Sequence, residues 1–372
     1  MIAQVYVLDS NREMVGIIDG AKSIIWNVEY YGTGDFEVFT PAAEDALQEL
    51  VIGNYIVRAD REEIGVIEKI DIAFEPTTGL MITASGRFAK SLLDRRLIYS
   101  LNGNTATPVI SRGNLETAVR NLVNICLINP TDSSRKIDYI KLGDVAGITD
   151  VIVTESGENG DTQTTYQNLL AYTDKLLHKY QCGARMRMDS NKNLLYEVYK
   201  GADRSMGNTE NNSPIIFSQE FDNLLSSDFS SDEQNFKNWA LIGGEGEGIA
   251  RFYTTMGSAS GDARREVFID ASDQSRKQEV DGQEVEFTDE EYIEMLETAA
   301  LPKMADYIVL TTFQGEVDVT HSPFKFGIDY NVGDRVTVQD NQIGIYSNTR
   351  IVKATEVQDD SGYSIRIEFE EQ

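Results

Sequence analysis

The sequence predicts a mainly β protein with an α+β insertion, arranged as two β-barrel domains at the ends of the chain plus smaller α+β domains. Three observations carry that class. Short β-prone runs separated by turn residues recur at both ends of the chain. The stretch between them switches to helical spacing of its apolar residues. The 372 residues also exceed the length, roughly 250–300 residues, over which one core keeps growing.

Residues 3–8 and 14–18 form the first two strands around the turn-rich Asp9-Ser10-Asn11-Arg12, and 23–31 continue the meander with Ile24, Ile25, Trp26, Val28 and Tyr30. Pro41, just inside an N-cap at Thr40, opens a short helix over 42–50. Strands follow over 54–58, 64–72 and 80–86, with hairpin signals at Asp60 and at Pro76-Thr77-Thr78-Gly79. Several short strands with one small helix predict a closed barrel, because closure removes exposed sheet edges. This first domain is set at 1–104, completed by about 213–235.

Residues 105–201 are the α+β insertion. A short helix over 88–93, ending at Arg95-Arg96, leads into it. Asn114–Leu127 places Leu115, Val119, Leu122, Val123 and Cys126 on one helical face, and Thr165–Tyr180 does so with Leu169, Leu170, Thr173, Leu176 and Leu177. The polar loop Glu155–Thr162 lies between them, and strands 183–188 and 194–200 form a hairpin around Asp189-Ser190-Asn191-Lys192-Asn193. The Gly, Asn and charge of 202–212 mark a linker.

The second barrel domain spans 236–372, with strands over 238–242, 250–255 and 264–269 and a hairpin around Asp281-Gly282. Its helix near 288–307 is capped by Thr288, with Glu291 at the capping-box position, and Pro302 bends or splits it. Strands 311–319, 335–340, 350–358 and 363–369 close the chain. The plan of the first region is repeated here, as a diverged duplication would leave it.

The 61 acidic and 33 basic residues give a net charge of −28, which repels phosphate and disfavours nucleic acid and anionic membranes. Acids crowd 279–297, where no Lys or Arg stands. No run approaches the roughly 20 apolar residues of a membrane span, and Met1–Asp9 reads as a strand rather than a signal peptide, so no stable membrane insertion is expected. Cys126 and Cys182 predict two packed thiols, not a disulfide framework.

The chemistry-bearing motifs lead nowhere. Histidine mechanisms could use only His178, on an amphipathic helix, or His321, in the turn before Pro323. Gly257-Ser258-Ala259-Ser260-Gly261 puts alanine in the nucleophile slot of G-x-S-x-G. Gly243–Gly248 lacks the P-loop Lys-Ser/Thr, and its Glu245 and Glu247 would repel phosphate. Asp189, Asn191 and Asn193 open like a calcium loop, but Leu194 replaces the glycine and Lys200 the final glutamate. No catalytic, cofactor-binding or metal-binding residue is assigned.

The order of signals over 1–96 resembles the hub family of tailed-phage tails, in particular the ReqiPepy-type siphovirus tail proteins. It is carried by Gly34-Asp35-Phe36-Glu37-Val38 with Pro41, Gly53-Asn54-Tyr55-Ile56, Gly65–Ile70, Ser85-Gly86-Arg87 and Leu92–Arg96. Tyr330-Asn331-Val332-Gly333-Asp334-Arg335-Val336 and the strands after it resemble that family's closing barrel. The resemblance implies two barrels of the tail-tube type, so that a homotrimer offers a six-fold-like ring to the tube. It implies a non-enzymatic tail-tip hub in the virion tail. The partners would be the distal tail or tube protein, the tape measure protein and a central spike or fibre, with DNA passing through untouched. Other readings are a carbohydrate hydrolase of the phage particle, which would need a buried carboxylate in a cleft, or a carbohydrate- or receptor-binding module, which would need exposed aromatics.

Overall fold

The computed structural model describes residues 3–102, 105–107, 109, 113–149, 152–153, 166–280, 283–304, 307, 310–319, 321–342 and 344–371. The loop 155–162 and the turn Asp281-Gly282 lie outside the described residues. The chain divides into a large unit, residues 1–154, 164–229 and 312–372, and a small unit, residues 155–163 and 230–311.

A sheet of ten strands dominates the large unit. Its main path runs Leu224–Asp232, Leu310–Val317, Gly362–Glu371, Ile345–Asp359, Ser23–Glu29, Asp35–Pro41, Gly79–Arg87 and Lys69–Glu75. Strand Arg335–Asp340 branches from Ile345–Asp359 and carries Ile216–Ser218 in parallel. In Ser23–Glu29 the residues alternate, with Ile24, Trp26 and Val28 buried, as period two demands of a strand with one face in a core. A separate sheet of Met14–Ile18, Val5–Leu8, Tyr55–Arg58 and Ile64–Val66 sends Val5, Val7 and Ile56 into the same core.

The two predicted β-barrel domains are not there: no sheet among the described residues closes on itself. The expected strands exist, but their edges are spent elsewhere. Ser23–Glu29 pairs with Lys353–Asp359, from Lys353 opposite Glu29 to Asp359 opposite Ser23, so the two ends of the chain share one open sheet and one core. A bulge between Ile351 and Lys353 bends the long strand and lets its edge change partner, from Arg335–Asp340 to Ser23–Glu29. The architecture is a mixed one of helices and several mainly antiparallel open sheets.

A second core of the large unit is built by the α+β segment. Helices Leu115–Val123 and Leu169–Lys179 pack with the sheet Ile140–Leu142, Leu194–Tyr199 and Gly183–Met188. Each helix has a capping asparagine: Asn114 accepts from Thr117 N at 2.8 Å and Asn168 from Ala171 N at 3.1 Å. Cys126 and Cys182 are buried in this core and are not joined in a disulfide.

In the small unit, Trp239–Gly243 lies between Tyr253–Met256, antiparallel, and Glu266–Asp270, parallel. Helix Asp289–Met304 contributes Tyr292, Leu296 and Ala300 to a core with Ala240, Ile242 and Ile269. The capping box has formed: Thr288 N donates to Glu291 Oε2 at 2.9 Å and Glu291 N to Thr288 Oγ1 at 3.3 Å. Pro302 does not split this helix; it stands in the last turn, where its missing N–H removes only one terminal bond. No described helix is long and apolar enough to cross a membrane.

Candidate functional site

The most constrained place in the large unit is a junction where three distant segments meet on Tyr30. Its ring is fully buried, and its hydroxyl donates to Gln181 O at 3.0 Å and accepts from Gly201 N at 3.4 Å. Burial pushes that phenol up to about 12. Glycine is required on both sides of the ring. A Cβ on Gly183 would stand 2.5 Å from it, and one on Gly333, which has φ +94°, would stand 2.4 Å from it. Arg350 Nη1 reaches Gly333 O at 2.5 Å, with its guanidinium 5.5 Å from the Tyr30 ring centroid. Asp334 completes the joint, accepting from Ala202 N at 2.8 Å and from Arg204 Nε and Asn331 N at 3.1 Å each.

A cleft of about 180 Å³ opens beside this joint, lined among others by Glu29, Glu63, Lys90, Arg185, Tyr199 and Asp334. Its charged groups are bonded to neighbours within the fold. Lys90 Nζ, 3% exposed, donates to Asp174 Oδ1 at 2.9 Å and to Tyr31 O at 3.1 Å. Burial draws Lys90 down against the pull of Asp174, and burial likewise lifts Asp174. Burial also raises Glu63, whose Oε2 accepts from Trp26 Nε1 at 3.2 Å.

A second knot ties the loop 58–63 to the C-terminal strands. Glu356, with no exposed surface, accepts from Arg61 Nε at 2.7 Å, Arg61 Nη2 at 2.5 Å, Tyr363 Oη at 2.8 Å and Arg58 Nη2 at 3.4 Å. Arg58 also holds Asp60 with two bonds, at 3.1 and 2.8 Å. Buried charges paired in this way fix one arrangement of segments rather than supply a reactive group.

The motif residues singled out earlier take other places. His178 is half-exposed, 3.5 Å from Glu370 Oε1 and packed against Tyr31 with ring centroids 4.0 Å apart and the planes tilted by 32°. His321 is exposed and held by Asp318 Oδ2 at 2.7 Å, which raises its pKa. Their carboxylate partners differ, and among the described residues neither ring is hydrogen-bonded to a cysteine or serine. Asp189 Oδ1 accepts from Asn191 N and Asn193 N at 2.8 Å each, a closed hairpin turn and not a calcium loop. Gly244 bonds Phe252 O at 2.8 Å, which makes Gly243–Gly248 a strand connection. Among the described residues no group of three or more His, Cys, Asp and Glu could hold a metal ion.

Tyr30, Lys90 and Glu356 were missed in the sequence, where each reads as an ordinary strand or helix residue. Gly333 and Asp334, however, stand inside the quoted closing motif. Phe36, from the first motif, packs against Trp26 and Phe88 with ring centroids 5.8 and 6.4 Å away. Arg87 holds Glu68 with bonds of 2.9 and 3.0 Å.

The family model described as Siphovirus ReqiPepy6 Gp37-like protein matches residues 4–369. Among solved structures, the tail protein from Neisseria meningitidis MC58 is similar at a TM-score of 0.58 and 12% identity, covering 100% of this chain and 97% of that one. The 43 kDa tail protein of prophage MuSo2 from Shewanella oneidensis is similar at 0.57 and 13%, covering 98% of each. No curated protein matches the chain. At such identities the structures show a shared fold, whereas the family match spans every residue of the junction, and the chain belongs to the Siphovirus ReqiPepy6 Gp37-like family.

Proposed function

We propose that the chain is a non-enzymatic structural subunit of the phage tail tip, a hub that assembles as a homotrimeric ring at the end of the tail tube. It would contact the distal tail or tube protein and the tape measure protein above and carry a central spike or fibre below. The observation that supports this reading best is the use made of the buried polar groups. Lys90, Glu356, Asp334 and the Tyr30 hydroxyl all clamp segments far apart in sequence, as a load-transmitting scaffold requires. Glu63, the carboxyl of the cleft lining that burial raises, is likewise bonded within the fold, to Trp26.

The charge fits the same role. Each copy carries −28, and acids lining an axial passage would keep DNA from adhering to the wall. Light scattering on the purified chain should give three times the monomer mass of 41.6 kDa, and imaging should show a ring with an axial hole. A monomer at all concentrations would exclude the ring. Release of sugar from host polysaccharide by the purified protein would favour the hydrolase instead.

A further inference from the structure

The four-stranded sheet of the large unit ends in a free edge. Strand Met14–Ile18 pairs only with Val5–Leu8, and among the described residues none of its backbone groups bonds beyond that pairing. Sheet edges are usually blunted by Pro, by charged side chains or by bulges. This strand has a bulge at Val15, between the pairs Val7–Gly16 and Leu8–Met14, but neither Pro nor a charge. It leaves Met14, Val15 and Ile17 61, 44 and 43% exposed.

An unpaired carboxylate stands at the middle of this edge. Gly16 lies opposite Val7, whose side chain is in the core, so the side-chain position of Gly16 faces the core side of the sheet. A Cβ there would stand 1.6 Å from Glu49 Oε2, and its absence makes room for that carboxylate. Glu49 ends the short helix Glu44–Glu49, which has acids at both ends and no base. Burial and then Asp45 raise its carboxyl, and no donor or cation draws it back. Neither 13–21 nor 41–57 contains a Lys or Arg.

We propose that this edge accepts an extended segment of another protein by strand addition, with a Lys or Arg of that segment opposite Gly16 and apolar residues on either side of it. In an added strand the residue opposite Gly16 points to the side of Glu49, about 4.5–5.5 Å from the Gly16 position, within reach of a charge-assisted bond. Its two neighbours point to the other face, where Ile17 lies uncovered. The net charge of −28 disfavours a second copy as the source and favours a basic partner. The inference goes beyond the ring reading and does not depend on it.

The test uses the full chain and an acetylated peptide, Thr-Val-Thr-Val-Lys-Val-Thr-Val-Thr, with binding read by calorimetry and its place by hydrogen exchange. The peptide should slow exchange in Met14–Ile18, and methylating its alternate backbone nitrogens should abolish binding. Glu in place of the peptide's Lys, or Glu49→Gln in the protein, should each weaken binding roughly fivefold. Absence of protection in Met14–Ile18 would overturn the edge as the site. Equal binding of the Lys and Glu peptides, or full affinity in Glu49→Gln, would overturn the role of the carboxylate. A change of mass by light scattering in Glu49→Gln would make a second copy the occupant and overturn the basic partner.

Discussion

Each unit of this protein is pinned by one buried tyrosine hydroxyl, and the two pins are supported very differently. Tyr30 joins Gln181 and Gly201, and Tyr292 joins Gln274, to which it donates at 2.7 Å, and Glu245, whose N–H it accepts at 2.7 Å. Around Tyr30 stand two cores, the Glu356 knot and the Lys90–Asp174 pair. Around Tyr292 stand one core, of Ala240, Ile242, Ile269, Ala271, Leu296 and Ala300 with Phe252 5.1 Å from its ring, and ion pairs such as Arg251–Asp270 and Arg276–Asp289 whose carboxylates are exposed, a kind of pair that contributes little. The large unit thus spreads its stability over redundant ties, while the small one concentrates it.

The comparison is broken most directly at Glu356. Glu356→Ala leaves Arg58 and Arg61 facing each other without the carboxylate between them, and removing one partner from a buried charge cluster costs about 3–5 kcal/mol. Chemical denaturation should show that loss in the large unit. Hydrogen exchange in Trp239–Gly243 should stay unchanged; faster exchange there would mean that the two units are not energetically separate.

Much of this was legible in the sequence, and the rest was hidden for identifiable reasons. The strand over 23–29, the helical face of Leu115, Val119 and Leu122 and the Thr288–Glu291 box are local signals, and each formed as read. Which edges pair is not local. Backbone edges carry no side-chain label, so nothing in residues 23–29 announces that 353–359 will take the edge a closed barrel needs. Glu356 shows the same blindness at a single residue: between Thr355 and Val357 it reads as a solvent-facing strand position, yet one of its partners lies 298 residues away. The closing motif was legible as a resemblance, but the reason for its glycine, the Tyr30 ring, lies just past the end of strand Ser23–Glu29, far earlier in the chain.

A smaller effect sharpens the comparison from the other side. Tyr292→Phe keeps the ring in its core but strips Glu245 N and Gln274 O of their shared partner, which costs about 1–3 kcal/mol for buried groups left unpaired. With so few other ties, the small unit should open first. Limited proteolysis should cut within 245–274 while the large unit persists, and a uniform rise in cleavage along the chain would argue against a concentrated pin.

The large unit also carries a pH signature. Burial raises Glu63 above its ordinary 4.5, so the folded state holds its proton more tightly than the unfolded chain does. Below 4.5 the group is protonated in both states and costs nothing. As pH climbs from there through the raised value, the unfolded chain ionises first and the fold loses stability. Glu63→Gln, which can still accept from Trp26, removes that loss, so its stability relative to wild type should grow with pH over this window. A constant difference would mean that Glu63 is not held protonated by its surroundings.

The finest probe is the cap of the small unit's helix. Thr288→Ala deletes the hydroxyl that receives Glu291 N and loosens the returning carboxylate, which is worth about 1 kcal/mol. Glu291, held low by its bonds to Thr288, should rise toward the ordinary range, so the cap strengthens once that carboxylate ionises and is lost as pH falls through its depressed value. The large unit has no share in this helix, so a melting curve followed at Trp26 should not move, while exchange of the amides at 290–292 should quicken. A shift at Trp26 would show that even a small disturbance of the weaker unit reaches the stronger one, and the contrast between redundant and concentrated support would fail.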